Sequence, residues 1–125
     1  MVDNVLMAIT TGQIDLLNRL LDVASLRQDV IAQNVANLNT PGFRSLEVSF
    51  EDALKQSLAQ TSSGPATHPA PEVKEGAGGH ERVDGNNVDV DQEMARLQKN
   101  ALYFNIYTQL LAGNLAQFRA AIAGR

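Results

Sequence analysis

The stretch DVDQEMARLQKNALYFNIYTQLLAGNLAQFRAAIA, residues 89–123, decides the fold. Within it Met94, Leu97, Ala101, Phe104, Thr108, Leu111, Leu115, Phe118 and Ile122 follow one another by steps of three and four, and only Thr108 is polar. That is the period of one helix face. Asp89, with Gln92 three residues on, resembles a capping box in which Asp takes the place of Ser or Thr. Asp91 and Glu93 in the first turn and Arg119 near the last suit the helix dipole. Gly113 weakens the middle by roughly 1 kcal/mol relative to Ala. A helix over 89–123 would be about 50 Å long.

The other end of the chain repeats the pattern. Ile14, Leu17, Leu21, Ala24, Gln28, Ile31, Val35 and Leu38 step by three and four, with Gln28 the one polar member. Gly12 precedes the stripe, so the spacing predicts a helix over 12–39, with Val5 to Thr10 a marginal extension. Pro41 pushes Thr40 out of the helical region, and Asn39 tolerates a left-handed cap. Pro41-Gly42 has the residue order of a type II turn. Residues 40–60 then read as a turn and a short ordered segment: extended chain to Val48, followed by a short helix capped by Ser49.

From Thr61 to Val83 there is no Leu, Ile, Phe, Met or Tyr, while Pro65, Pro69, Pro71, Gly64, Gly76, Gly78 and Gly79 accumulate. Such a segment buries too little surface to offset its ordering entropy, so 61–88 is expected to be a flexible central loop. The expected fold is all-α, a single domain over 1–125. Two long terminal helices form a coiled coil or helical bundle.

Each terminal helix carries more apolar surface than one seam needs. Beside the main stripe of the C-terminal helix run Tyr103, Ile106, Leu110 and Gly113, and beside that of the N-terminal helix runs a weaker stripe, Leu16, Leu20, Val23, Arg27, Val30 and Asn34. A two-helix hairpin buries one seam per helix, so the surplus marks an association surface. Periodicity alone leaves a closed three- or four-helix bundle equally open.

Composition removes most other functions. The chain has 125 residues, a net charge of −4 and no basic cluster, which argues against nucleic acid or an anionic membrane as the main partner. No apolar run reaches the length of about 18 residues needed to insert in a membrane. Absence of Cys excludes disulfides and thiolate chemistry. No catalytic, metal or cofactor constellation is legible. His68 and His80 lie in the Pro/Gly-rich span and read as solvated residues. Gly76-Ala77-Gly78-Gly79 lacks the Gly-Lys-Ser/Thr of a phosphate loop, and Asp84 to Asp91 lacks the last Glu of a calcium loop. Glu47 and Glu51 show no sign of a tuned acid–base pair. No small-molecule substrate is expected. Met1-Val2-Asp3-Asn4 places an acid where a cleavable export signal carries Lys or Arg.

One run is specific. Ala32-Gln33-Asn34-Val35-Ala36-Asn37-Leu38-Asn39-Thr40-Pro41-Gly42-Phe43 resembles the N-terminal signature of bacterial flagellar rod, hook and hook-associated axial proteins. Gly85-Asn86-Asn87-Val88-Asp89-Val90-Asp91-Gln92-Glu93-Met94 and Asn100-Ala101-Leu102-Tyr103-Phe104 are similar to the C-terminal half of the FlgB family of proximal-rod proteins. The sibling FlgC-like rod proteins rank second. The resemblance implies a non-enzymatic rod-type axial subunit of the basal body, in the periplasmic space, exported through the flagellar type III export apparatus without a cleaved signal. It implies a place in the part of the drive shaft that joins the membrane ring to the hook. The implied partners are other rod subunits, copies of the chain itself, the FliE-type adaptor and the membrane-ring protein FliF. The alternative reading is a soluble helical-hairpin adaptor or chaperone-like module. The implied junction is Asn34, Asn37, Thr40, Pro41, Gly42 and Phe43, with Asn34 and Asn37 on one helix face where amides fix register within a bundle. The expected packing surface is Leu17, Leu21, Ile31, Val35, Leu97, Phe104, Leu111, Leu115 and Phe118.

Overall fold

The computed structural model describes residues 1–60 and 68–124. Five elements follow in order: α1 (Val2–Ala36), β1 (Leu46–Ser49), α2 (Glu51–Gln60), β2 (Glu72–Glu75) and α3 (Val90–Ala123). The two long terminal helices are present, and a short helix lies between them. The chain is not all-α, however. β1 and β2 form a two-stranded antiparallel sheet in the register Leu46↔Glu75, Glu47↔Lys74, Val48↔Val73, Ser49↔Glu72. Four residues, three of them charged, give β2 no readable period, and its partner is far away in sequence.

α1 starts at Val2 rather than near residue 12, and ends at Ala36 rather than 39. Gly12 does not stop it. The hydroxyls of Thr10 and Thr11 donate to the carbonyls of Leu6 and Met7, both at 2.8 Å, and the helix runs on through them. At the other end Asn37 donates from Nδ2 back to the Gln33 carbonyl at 2.8 Å, and Leu38 N–H has shortened its reach to the Val35 carbonyl at 3.2 Å. The last turn tightens and the helix closes. α3 begins after Asp89, whose Oδ1 accepts from the N–H groups of Asp91 (2.9 Å) and Gln92 (3.3 Å), the bonds of an N-cap.

The span expected to be loose, 61–88, is structured where it is described. β2 lies inside it, Gly76 N–H donates to the Ser45 carbonyl at 2.8 Å, and Gly79 N–H to the Asn87 carbonyl at 2.7 Å. Backbone bonds to distant segments supply the order that apolar burial cannot. The part of that expectation covering 61–67 lies outside the described residues. His68 is half-buried with its Nδ1 out of water, and only His80 is exposed.

The chain divides into two compact units, one made of Leu26–Leu97 and one of Met1–Ser25 with Gln98–Arg125. The first has a small core of Val30, Ile31, Val48, Phe50 and Val88. In it Arg27 closes the outer edge of β1. Its Nη2 reaches the Val48 carbonyl at 3.5 Å and Glu51 Oε2 at 2.5 Å. Partial burial works to raise the Glu51 pKa, but the Arg27 bond and charge outweigh it and hold the carboxyl below its ordinary value. A lowered carboxyl pKa contributes stability above about pH 4.5 that disappears as pH falls through the lowered value. The Glu51 side chain is mostly open to solvent, so Arg27→Gln should cost less than about 1 kcal/mol at pH 7. It should flatten the stability loss toward pH 3, as read by urea unfolding at the two pH values.

The second unit covers much less of itself. Leu17, Val23 and Ala24 are buried, whereas Val2, Val5, Leu6 and Ile9 on α1 and Leu102, Phe104, Ile106, Leu110, Leu115 and Ile122 on α3 stand exposed.

Candidate functional site

The motif residues meet in the Leu26–Leu97 unit, where the end of α1, the approach to β1, the loop after β2 and the start of α3 converge on buried amides. Thr40 to Phe43 form the turn. The Phe43 N–H donates to the Thr40 carbonyl at 3.2 Å, with Pro41 and Gly42 between them. Gly42 has φ +74°, which Gly adopts without strain. Thr40 Oγ1 donates to Asn37 Oδ1 at 3.1 Å and so ties the turn to the helix end.

Asn34 is fully buried, and its amide behaves like a strand neighbour to Leu46. Nδ2 donates to the Leu46 carbonyl at 2.8 Å, and Oδ1 accepts from Leu46 N–H at 2.9 Å. One side chain thereby satisfies both backbone groups on the outer edge of β1 at that residue. The expected role of Asn34 and Asn37 as register amides within a bundle is corrected here. Asn34 pins a strand of its own chain, and Asn37 closes the helix end.

Two residues that sequence reasoning did not single out individually complete the joint. Asn86 donates from Nδ2 to the carbonyls of Asn37 (2.9 Å) and Thr40 (2.8 Å), and its Oδ1 accepts from Val88 N–H at 2.8 Å. It thus adds a second bond to two carbonyls past the end of α1 that also accept from the Thr40 and Phe43 N–H groups. Asn87 accepts from Ser45 N–H at 2.7 Å through Oδ1. Ser45 is a third omission. Its Oγ lies 3.3 Å from Asn34 Nδ2, 3.2 Å from Glu93 Oε1 and 3.4 Å from Arg96 Nη1, and Arg96 also pairs with Glu93 at 2.9 Å. The signal for Asn86 and Asn87 is the Gly85-Asn86-Asn87 run itself. Ser45 and Arg96 give none.

Charged side chains fasten the rim. Arg44 bonds Glu75 at 3.0 Å and Glu81 at 2.8 Å, and these two bonds raise its pKa above an already high value. Arg82 donates to the Leu38 carbonyl. Gly78, at φ +60°, lets the loop pass close to Asn87: a Cβ there would collide with Asn87 Nδ2. Gly78→Ala should therefore cost at least about 2 kcal/mol, from strain and clash together. A thermal midpoint equal to that of the parent would show that the loop does not lie against Asn87.

The groups of this junction bond one another and the backbone around them, with Glu93 Oε2 alone among them buried without a hydrogen-bond partner. The described residues contain no metal-binding group of three His, Cys, Asp or Glu. The expected packing residues fall into two sets. Leu17 and Ile31 are buried in the chain and Leu21, Val35, Leu97, Leu111 and Phe118 half-buried, while Phe104 and Leu115 are each 40% exposed.

The family model described as "Flagella basal body rod protein" matches residues 21–44, the end of α1 and the turn. The flagellar basal body rod protein FlgB of Borrelia hermsii is 33% identical over 117 residues, covering 79% of this chain and 87% of that protein. FlgB of Bacillus subtilis is 26% identical over 94% of this chain and 98% of its own length. FlgB of Escherichia coli K12 is 28% identical over 76% and 81%. A relative sharing a third of its residues over most of both chains fixes the family, so this chain belongs to the FlgB flagellar basal body rod proteins, which are structural and not enzymes.

Proposed function

We propose that the chain is a proximal-rod subunit that joins neighbouring subunits through its terminal helices, forming the base of the drive shaft between membrane ring and hook. One observation carries this reading: the apolar side chains of α3 that its own chain leaves open, with Leu102 59% and Leu110 53% exposed. At about 25 cal/mol per Å², burying several such side chains contributes several kcal/mol per contact. Contacts of this kind repeat head to tail into a helical assembly when they do not close on themselves. The neighbours in this reading are other rod subunits, copies of the chain, the FliE-type adaptor and the ring protein FliF. The route is the flagellar type III export apparatus, and the destination is the periplasmic part of the basal body. The polar junction gives each subunit a stiff corner between α1 and β1.

The test is co-purification. A tagged chain expressed in place of the native gene product should be recovered in isolated basal bodies and restore swimming. Recovery outside basal bodies, as a closed dimer with one saturable partner, would instead fit a helical-hairpin adaptor and overturn the proposal.

A further inference from the structure

We infer that the outer edge of β2 pairs antiparallel with the same edge of a second copy of this chain, in the register that sets Val73 opposite Val73. The two edges of the small sheet are treated differently. On β1, Asn34 bonds both backbone groups of Leu46 and Arg27 bonds the Val48 carbonyl, so side chains close that edge. Leu46 and Val48 therefore face away from β2, and by the register their partners Glu75 and Val73 face away from β1. The N–H and C=O groups of Val73 and Glu75 find no partner among the described residues, and all four residues of β2 are exposed.

Charged residues on an edge ordinarily keep other strands away. Here their order answers itself. With Val73 on a two-fold axis, Glu72-Val73-Lys74-Glu75 sets each Glu72 opposite the Lys74 of the other copy. Those are non-hydrogen-bonded positions, where side chains stand closest. Lys74 already lies opposite Glu47 in its own chain, so in the widened sheet it stands between two carboxylates. Val73, 44% exposed, exchanges both backbone bonds with its copy. Moving the axis one residue either way sets Lys74 against Lys74 or Glu72 against Glu72. Pro71, which has no N–H, ends the ladder.

A two-fold contact closes on itself and has no place between head-to-tail neighbours, so it joins chains outside a rod. The pairing is of the chain with itself and does not rest on the proposed function, which its failure would leave untouched.

The chain has no Cys, so one introduced Cys can link only to another copy. In the purified chain under a mild thiol oxidant such as diamide, Val73→Cys should form a disulfide-linked dimer. The Cα atoms of a hydrogen-bonded pair lie about 5.5 Å apart, within disulfide reach, whereas two Cys at 74 would be offset along the strands and too far apart. Linkage at 73 should therefore be at least about five-fold faster than for Lys74→Cys or Asp52→Cys, both at exposed positions. Adding Glu72→Lys to Val73→Cys sets Lys against Lys and should slow linkage at least about three-fold at low salt, less at high salt. Mixing that chain with one carrying Val73→Cys and Lys74→Glu should restore the rate, since every facing pair is then of opposite charge. Equal rates at 73, 74 and 52, or a rate at 73 indifferent to Glu72→Lys, would overturn the inference.

Discussion

Phe104→Asp combined with Leu115→Asp should abolish motility and remove the chain from basal bodies, while leaving the free chain folded. Both side chains are already 40% exposed in the isolated chain, so charging them removes little internal packing. In an assembly that covers them, each substitution loses about 2 kcal/mol of apolar burial and also buries an unpaired carboxylate, which costs more. In the proposed assembly every copy would repeat the contact, so the effect would multiply. Helix content by circular dichroism should match the parent. Swimming in soft agar and the protein content of isolated basal bodies should both fall to background. Normal swimming would mean that this face of α3 is not a contact.

The second large effect belongs to the junction. Asn34→Ala should destabilise the Leu26–Leu97 unit by about 3 kcal/mol, measured by urea unfolding. The loss leaves the Leu46 N–H and carbonyl, which are partly buried, and one bond of the fully buried Ser45 without their partner. Asn34→Asp should be worse, because a carboxylate keeps the acceptor, loses the donor and brings a buried charge close to Glu93, which shares Ser45 Oγ with it. A cost below about 0.5 kcal/mol for Asn34→Ala would mean that water substitutes for the amide and that the strand does not depend on it.

The parts of this fold legible in the sequence are those whose information is local. The stripe from Met94 to Ile122 and the stripe from Ile14 to Leu38 repeat within one element, and each announces a long helix. Asp89 announces its cap because its partners are two and three residues away. The parts that were hidden depend on distance. Asn87 meets Ser45 across 42 residues, Ser45 meets Glu93 across 48, and Asn86 meets Asn37 across 49. No local pattern encodes such pairs. β2 was hidden for the same reason: Glu72 to Glu75 becomes a strand only because Leu46 to Ser49 lies beside it. Gly12 misled in the other direction. Its helix penalty of about 1 kcal/mol is small against an otherwise continuous α1. The Asn pair of the motif was visible as important, but its meaning changed, since a buried amide can pin a strand as readily as a neighbouring helix.

In the proposed rod, neighbouring subunits cover the open apolar faces of the terminal helices. Hydroxyl-radical footprinting of Leu102, Phe104, Leu110 and Leu115, in the free chain and in isolated basal bodies, tests it most directly. Ready labelling in the free chain and several-fold protection in the basal body are expected. Equal labelling of these four residues in both states would contradict it.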